Sequence, residues 1–230
     1  MPLVFIVYFC PLLLLLDEDD VIKLTNHAAN HRDKAILQTL WETGCRVGEL
    51  LNCRVEDVDF INQTMYLDGK TGKRVIPVLS CLPWIRQYIS LYALQRNDYL
   101  WKEIGKNNPL QYDNVRMQLR KIAKRAGITK PVNAHNFRHS RATFCAQFMN
   151  ESLLKQYFGW AQASDTPSTY IHLSGKDLQK SILIINGFAP QKPVISKLAP
   201  KQCDCGTLNT YETNECTKCH SQLIVHNAYK

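Results

Sequence analysis

Four thiols stand close together near the end of this 230-residue chain: Cys203, Cys205, Cys216 and Cys219 fall within 17 residues. Four thiolates can close a tetrahedral zinc site, and Gly206 after the first pair permits the tight turn a metal knuckle needs. A zinc ribbon ordinarily has two residues between its first two cysteines, whereas Asp204 alone separates them here, so the first knuckle is expected to be strained. His220 or His226 is a substitute ligand, and a decayed ribbon that holds no metal is the competing reading. Four protein ligands leave no open position, so one zinc here would be structural, not catalytic.

A second chemistry is phosphate contact. Residues 111–141 carry Arg116, Arg120, Lys121, Lys124, Arg125, Lys130, Arg138 and Arg141 against Asp113 alone, which is +7 of the chain's formal +8. A solvated helix face is the usual fate of such a run. This one is accompanied by a glycine-rich turn, 68–73, that brings Lys70, Lys73 and the following Arg74 to a hairpin tip of the same sign. The combination fits a surface that contacts a phosphate backbone.

Three short segments then follow in chain order: Thr43-Gly44-Cys45-Arg46-Val47-Gly48-Glu49-Leu50; His135-Asn136-Phe137-Arg138-His139-Ser140-Arg141-Ala142-Thr143; and Phe158-Gly159-Trp160 with Ser168-Thr169-Tyr170-Ile171-His172. Singly, each has a plain reading. Arg46 and Glu49 are spaced as a surface ion pair, His135 can cap a helix, His139 and Trp160 can be core, and most of the ten tyrosines must be packing residues. Together and in this order they resemble the catalytic domain of the tyrosine recombinase (phage integrase) family, with its TGxRxxEL, HxxRHxxAT, glycine-His/Trp and tyrosine motifs. The resemblance covers residues 17–185, and the cysteine cluster after the tyrosine is similar to the layout of some archaeal integrases.

The resemblance implies transfer of a DNA phosphodiester to Tyr170, giving a covalent 3′-phosphotyrosine and needing neither nucleotide nor catalytic metal. Arg46 and Arg138 are then the planar forks that match the non-bridging oxygens of the pentacovalent phosphate. Lys70 is the general acid for the leaving 5′-oxygen, with Lys73 close behind as the other candidate. His135 handles the tyrosine's proton and bonds the phosphate, Trp160 donates its indole N–H, and Glu49 and His139 support the site. The implied partners are double-stranded DNA and further copies of the chain, as a tetramer on two duplexes. Two alternatives stay open: an inactive or truncated integrase derivative that only binds DNA, and a DNA-relaxing enzyme of the type IB topoisomerase kind.

These residues need a scaffold. Acids at 17–20 open a first helix; Ala35, Ile36, Leu37, Leu40 and Trp41 form the inward stripe of a second, stopped by Gly44; and 46–53 reads as a short third. Val58, Phe60, Met65 and Leu67 suggest one strand, and 75–78 a returning one. Helices are expected at 82–96, 112–126, 135–149 and 152–158. The fold class is therefore α+β, mainly α, with a small antiparallel sheet and a small C-terminal zinc-ribbon-like module. The organisation read from this is an apolar segment 1–16, a catalytic domain 17–187, a proline-bearing linker 188–200 and a cysteine module 201–224.

A 45% hydrophobic, 21% charged composition excludes a wholly disordered chain. Nine cysteines, an odd number, five of them scattered singly, argue against a secreted disulfide scaffold and for a reducing, cytoplasmic setting. The first sixteen residues hold fourteen apolar ones but also Pro2 and Pro11, with no basic residue before Lys23. That is short of the roughly 20 residues of a spanning helix and lacks the marks of a signal peptide. Packing against a neighbouring domain is expected for this segment, and no membrane partner.

Overall fold

Capping side chains set where the helices around the site begin. Asp17 accepts from the Asp20 N–H and Asp20 answers to the Asp17 N–H, a reciprocal box that starts α1, Glu18–Asn26. Asn30 caps α2 (His31–Thr43), Asn133 caps α6 (Ala134–Ala146) and Asn150 caps α7 (Glu151–Phe158). Between these lie α3 (Val47–Asn52), α4 (Leu82–Leu91) and α5 (Tyr112–Ala126), and α8 (Thr166–Leu173) follows. The computed structural model describes residues 14–69, 72–106, 108–173, 182–183, 186–188 and 196–223. Among them, no helix is long and apolar enough to cross a membrane.

Helix α2 is the central post. Ala35, Leu37, Leu40 and Trp41 are shut from solvent, and α1, α4 and α6 pack around it. It stops at Gly44, whose backbone is left-handed at φ 51° and whose missing side chain leaves room for Phe158; an added Cβ would stand 2.5 Å from that ring. Helix α5 buries Val115, Leu119 and Ile122 at helical spacing and turns its charges outward. A three-stranded antiparallel sheet, β1 (Val58–Asp59), β2 (Thr64–Gly69) and β3 (Gly72–Pro77), packs β2 against α3.

Several boundaries differ from the sequence expectation. The strand expected from Val58 through Leu67 is two strands, broken by a turn that Asp59 holds by accepting the Ile61 and Asn62 N–H groups, with Gln63 at φ 54°. Helix α4 ends at Leu91, where Ala93 turns to φ 49°, and α6 ends at Ala146, short of residue 149.

The cysteine segment forms a two-stranded hairpin, β4 (Lys201–Gln202) with β5 (Leu208–Asn209), and it is seated on the helical body. The Tyr211 ring meets Trp84 at 5.8 Å, Glu212 pairs with Lys34 at 3.6 Å, and Leu198 is buried in the main core. Ser196 and Lys197 bond Glu18 and Asp19 on α1. The described end of the expected 188–200 linker, 196–200, is thus fastened to the body; Pro190 and Pro193 lie outside the described residues. So do residues 1–13 of the apolar segment. Its end runs along α6, where the Leu16 N–H donates to Ser140 Oγ and the Leu14 carbonyl accepts from Asn136.

One buried carboxylate joins α2 to α4. Glu42 Oε1 accepts the Leu79 and Ser80 N–H groups at 2.7 and 3.0 Å, and Oε2 accepts that of Cys81 at 2.7 Å. Glutamine offers one acceptor oxygen where two are used and turns its amide toward a donor. Glu42→Gln is expected to lose about 2–3 kcal/mol in urea denaturation.

Candidate active site

The first arginine segment folds into a charge cluster because α3 begins on Arg46. Glu49, three residues on and 1% exposed, accepts the Arg46 backbone N–H at 2.8 Å and its Nη1 at 2.9 Å. The same carboxylate takes Arg74 in bidentate fashion, Nη1 at 2.7 Å and Nη2 at 2.9 Å, while Arg74 Nε donates to the Tyr157 carbonyl. Gly69 is glycine because its backbone lies on Glu49: an added Cβ would stand 2.6 Å from Glu49 Cγ. Burial pushes the Glu49 carboxyl up, but Arg74 and Arg46 outweigh it and hold it below the ordinary glutamate value.

Arg74 was expected at the hairpin tip on DNA, and the structure places it inside. It pairs with Leu67 across the sheet, on the face that carries Ile76. The two-residue period counted back from Ile76 was the sequence signal for this. Lys73, on the opposite face, is exposed, 3.8 Å from Asp68 and near the Tyr66 ring. Lys70 lies outside the described residues, between Gly69 and Gly72.

Arg138 is 7% exposed. Its Nη1 donates to the Gly44 carbonyl at 2.9 Å and its Nη2 to that of Phe158 at 2.6 Å, with the Phe158 and Trp160 rings each 5.3 Å from its carbon. Burial, then the charge of Arg46, pulls it down to about 10, so it stays charged at neutral pH. Trp160 continues the stack: its ring lies parallel to Tyr170 at 5.4 Å, with Phe158 on its other neighbour contact at 4.9 Å.

Tyr170 is 5% exposed, and its hydroxyl is 2.5 Å from His139 Nδ1. His139 Nε2 is in turn 2.6 Å from His135 Nε2. The sequence reading put His135 on the tyrosine's proton and His139 in support; the structure puts His139 in direct contact and His135 one ring further on. The four-residue spacing of the two histidines on α6 places them on one face, but only the seating of α8 against α6 brings Tyr170 to them.

Arg46, Arg138 and His135 line one open cleft of about 1020 Å³, floored by Cys45 and Val47 and walled by α5. Arg116, Arg120 and Lys124, at successive i, i+4 steps, are on that wall, as is Lys130, which is tied to Asp17 and Asp20. Lys121 and Arg125 are exposed and do not line it. Arg141, expected on DNA, is turned inward: Nε donates to the Glu42 carbonyl at 2.9 Å and the guanidinium lies over Trp41 and Phe144. Among the described residues that line it there is no carboxylate, an arrangement suited to a polyanion. Tyr170 is not among its lining residues.

At the far end, the Sγ atoms of Cys203, Cys205, Cys216 and Cys219 all lie within 4.8 Å of one another. Gly206, at φ 82°, makes the turn that admits Cys205 with a single intervening residue. The N–H groups of Cys219 and Lys218 hold the Cys216 thiol below the ordinary cysteine value. His220 bonds Glu215 and stands apart from the thiols, and His226 lies outside the described residues.

The sequence profile of the phage integrase family matches residues 15–176. The tyrosine recombinase XerA of Pyrococcus horikoshii is 35% identical over 73% of this chain and 59% of its own length. A crystal structure of XerA recombinase superposes with a TM-score of 0.60 at 25% identity, over 77% of this chain and 66% of that one. XerH site-specific recombinase in a post-cleavage complex with its difH substrate shares the fold at a TM-score of 0.59 and 20% identity, over 75% and 53%. The chain thus spans between about half and two thirds of these relatives.

Glu49 contributes stability that is present above its unfolded-state pKa, about 4.3, and lost as pH falls through its lower folded value. Glu49→Gln, which leaves Arg74 buried without its anion, is expected to cost about 3 kcal/mol at pH 7. The gap between wild type and variant in urea denaturation should close below about pH 4.

Proposed function

Because this chain belongs to the phage integrase family, we propose that it cuts and rejoins double-stranded DNA at specific sites through a covalent bond between Tyr170 and a 3′-phosphate. One observation carries this reading: Arg46, Arg138 and His135, from separate parts of the sequence, line a single cationic cleft, and the ring chain His135–His139–Tyr170 leads from its wall to a phenol.

The scissile phosphate sits in the cleft with its non-bridging oxygens on Arg46 and Arg138, while Arg116, Arg120 and Lys124 hold the flanking backbone. Tyr170 attacks phosphorus and the 5′-oxygen leaves with a proton from Lys70, which follows in sequence the Gly69 that lies on Glu49. The phenolate is a competent leaving group in the reverse step, so the phosphotyrosine conserves the bond energy for rejoining. Trp160 holds the phenol ring by stacking. Reciprocal exchange needs further copies of the chain on the two duplexes, as a tetramer, in the cytoplasm where the DNA is.

The cysteine cluster fits one structural zinc. Cys203, Cys205, Cys216 and Cys219 would hold it, and four thiolates leave no position for catalysis. In this reading 201–224 is a zinc-ribbon-like module beside the catalytic domain. Its tie to the body through Tyr211 and Trp84 makes metal a stabiliser of both parts.

Two experiments test the proposal. A pool of nicked duplexes with a randomised core should yield an SDS-stable protein–DNA adduct with wild type and none with Tyr170→Phe, although both bind the DNA. Equal absence of adduct from the two would refute the enzyme reading. Separately, the purified chain should contain about one zinc, and Cys216→Ser should lose it together with part of the Trp84 near-ultraviolet dichroism; metal-free protein of unchanged stability would refute the zinc reading.

A further inference from the structure

The phenol of Tyr170 is buried, and burial raises it above its ordinary value against the pull of the Arg138 charge. It is therefore a neutral, poor nucleophile until its proton has somewhere to go. It is only 5% exposed, and no carboxylate is bonded to it among the described residues. Its hydroxyl has one bonded partner there, His139 Nδ1. The opposite nitrogen of that ring faces His135 Nε2, and His135 is exposed on the cleft wall.

Those contacts accommodate a relay in one direction. With the neutral phenol as donor, His139 Nδ1 accepts and its proton resides on Nε2; that Nε2–H then donates to His135 Nε2, which leaves His135 protonated on Nδ1. We infer that His139 is a catalytic residue that passes the Tyr170 proton to His135 through its ring, taking it at Nδ1 and releasing another at Nε2. The inference rests on the recombinase reading above.

The steps balance. The Tyr170 O–H breaks as an N–H forms on His139 Nδ1; the His139 Nε2–H breaks as an N–H forms on His135 Nε2. His139 is neutral before and after, in the other tautomer, while His135 becomes an imidazolium. The phenolate oxygen bonds phosphorus, and the P–O5′ bond breaks with the general acid protonating the leaving oxygen. Rejoining runs the relay backward and resets both rings. The charge thus arrives on the one ring of the two that lines the cleft, where it can donate to a phosphoryl oxygen.

His139 is suited to pass a proton and not to keep it. Burial, then His135 and Arg138, lowers its affinity for a second proton. The titratable and charged groups facing it among the described residues are His135 and Arg138 on its own helix and Tyr170 on α8.

Two measurements decide the matter. In the free protein, long-range ¹H–¹⁵N spectra of the imidazole rings should show His139 as the Nε2–H tautomer; the Nδ1–H tautomer overturns the chain's direction. In single-turnover cleavage of nicked duplexes selected from the randomised pool, His139→Ala and His139→Gln should each be slower by about 100-fold at pH 7 with DNA binding retained. The alanine variant should recover with added imidazole, and both should speed up as pH rises toward the phenol's own ionisation, which burial holds above the ordinary tyrosine value. Variants that cleave within about threefold of wild type, or a loss that neither imidazole nor alkali repairs, overturn the relay. If wild type itself forms no adduct, the recombinase reading falls and the relay falls with it, a result distinct from a variant that matches an active wild type.

Discussion

Two guanidiniums share one buried carboxylate in this molecule, and a third lies beside them. Arg46 and Arg74 are both bonded to Glu49, and Arg138 lies close enough that the Arg46 charge acts on it. Burying positive charge in this excess is unfavourable by itself, and the chain tolerates it by giving Arg138 the carbonyls of Gly44 and Phe158. Much of the surrounding architecture follows from that. Helix α2 must end in a left-handed glycine to bring a carbonyl and Phe158 together, and Gly69 must lack a side chain so that the hairpin can lie on Glu49. The arrangement is completed by an anion in the cleft, the role proposed for the DNA phosphate.

The nucleophile is handled by the opposite physics. Tyr170 is stacked flat on Trp160 and shut from solvent, so apolar contact keeps it in place and protonated. Cation cluster and phenol thus meet at α6, which carries Arg138 toward one and His139 toward the other. Arg138 and His139 are consecutive on it, so the group that would receive the phosphate adjoins the group that would take the proton.

Much of this was legible in the sequence, for local reasons. The ends of α5 follow from an apolar stripe and Gly127, and those of α7 from Asn150 and Gly159. The candidate site residues could be named because a short motif keeps its residues on one turn or one helix face. What escaped depends on neighbours distant in sequence. Arg74 and Arg141 carry the same charge as the other residues expected to contact DNA, but the sheet register points one at Glu49 and helix packing sends the other to the Glu42 carbonyl. Nothing near Cys203 announces that Tyr211 will seat on Trp84, and nothing near His139 announces α8. The strand break at 60–63 was hidden by apolar residues on both sides, although Asp59-x-x-Asn62 is the kind of pattern that closes a turn on its own backbone.

The most direct test of the central claim needs no knowledge of the DNA site. Crystals of the protein soaked in tungstate, a tetrahedral dianion with strong anomalous scattering, should show the ion in the cleft within hydrogen-bond reach of Arg46, Arg138 and His135. A cleft that stays empty while tungstate binds elsewhere on the same molecule would contradict the claim that this charge cluster is built around a phosphate.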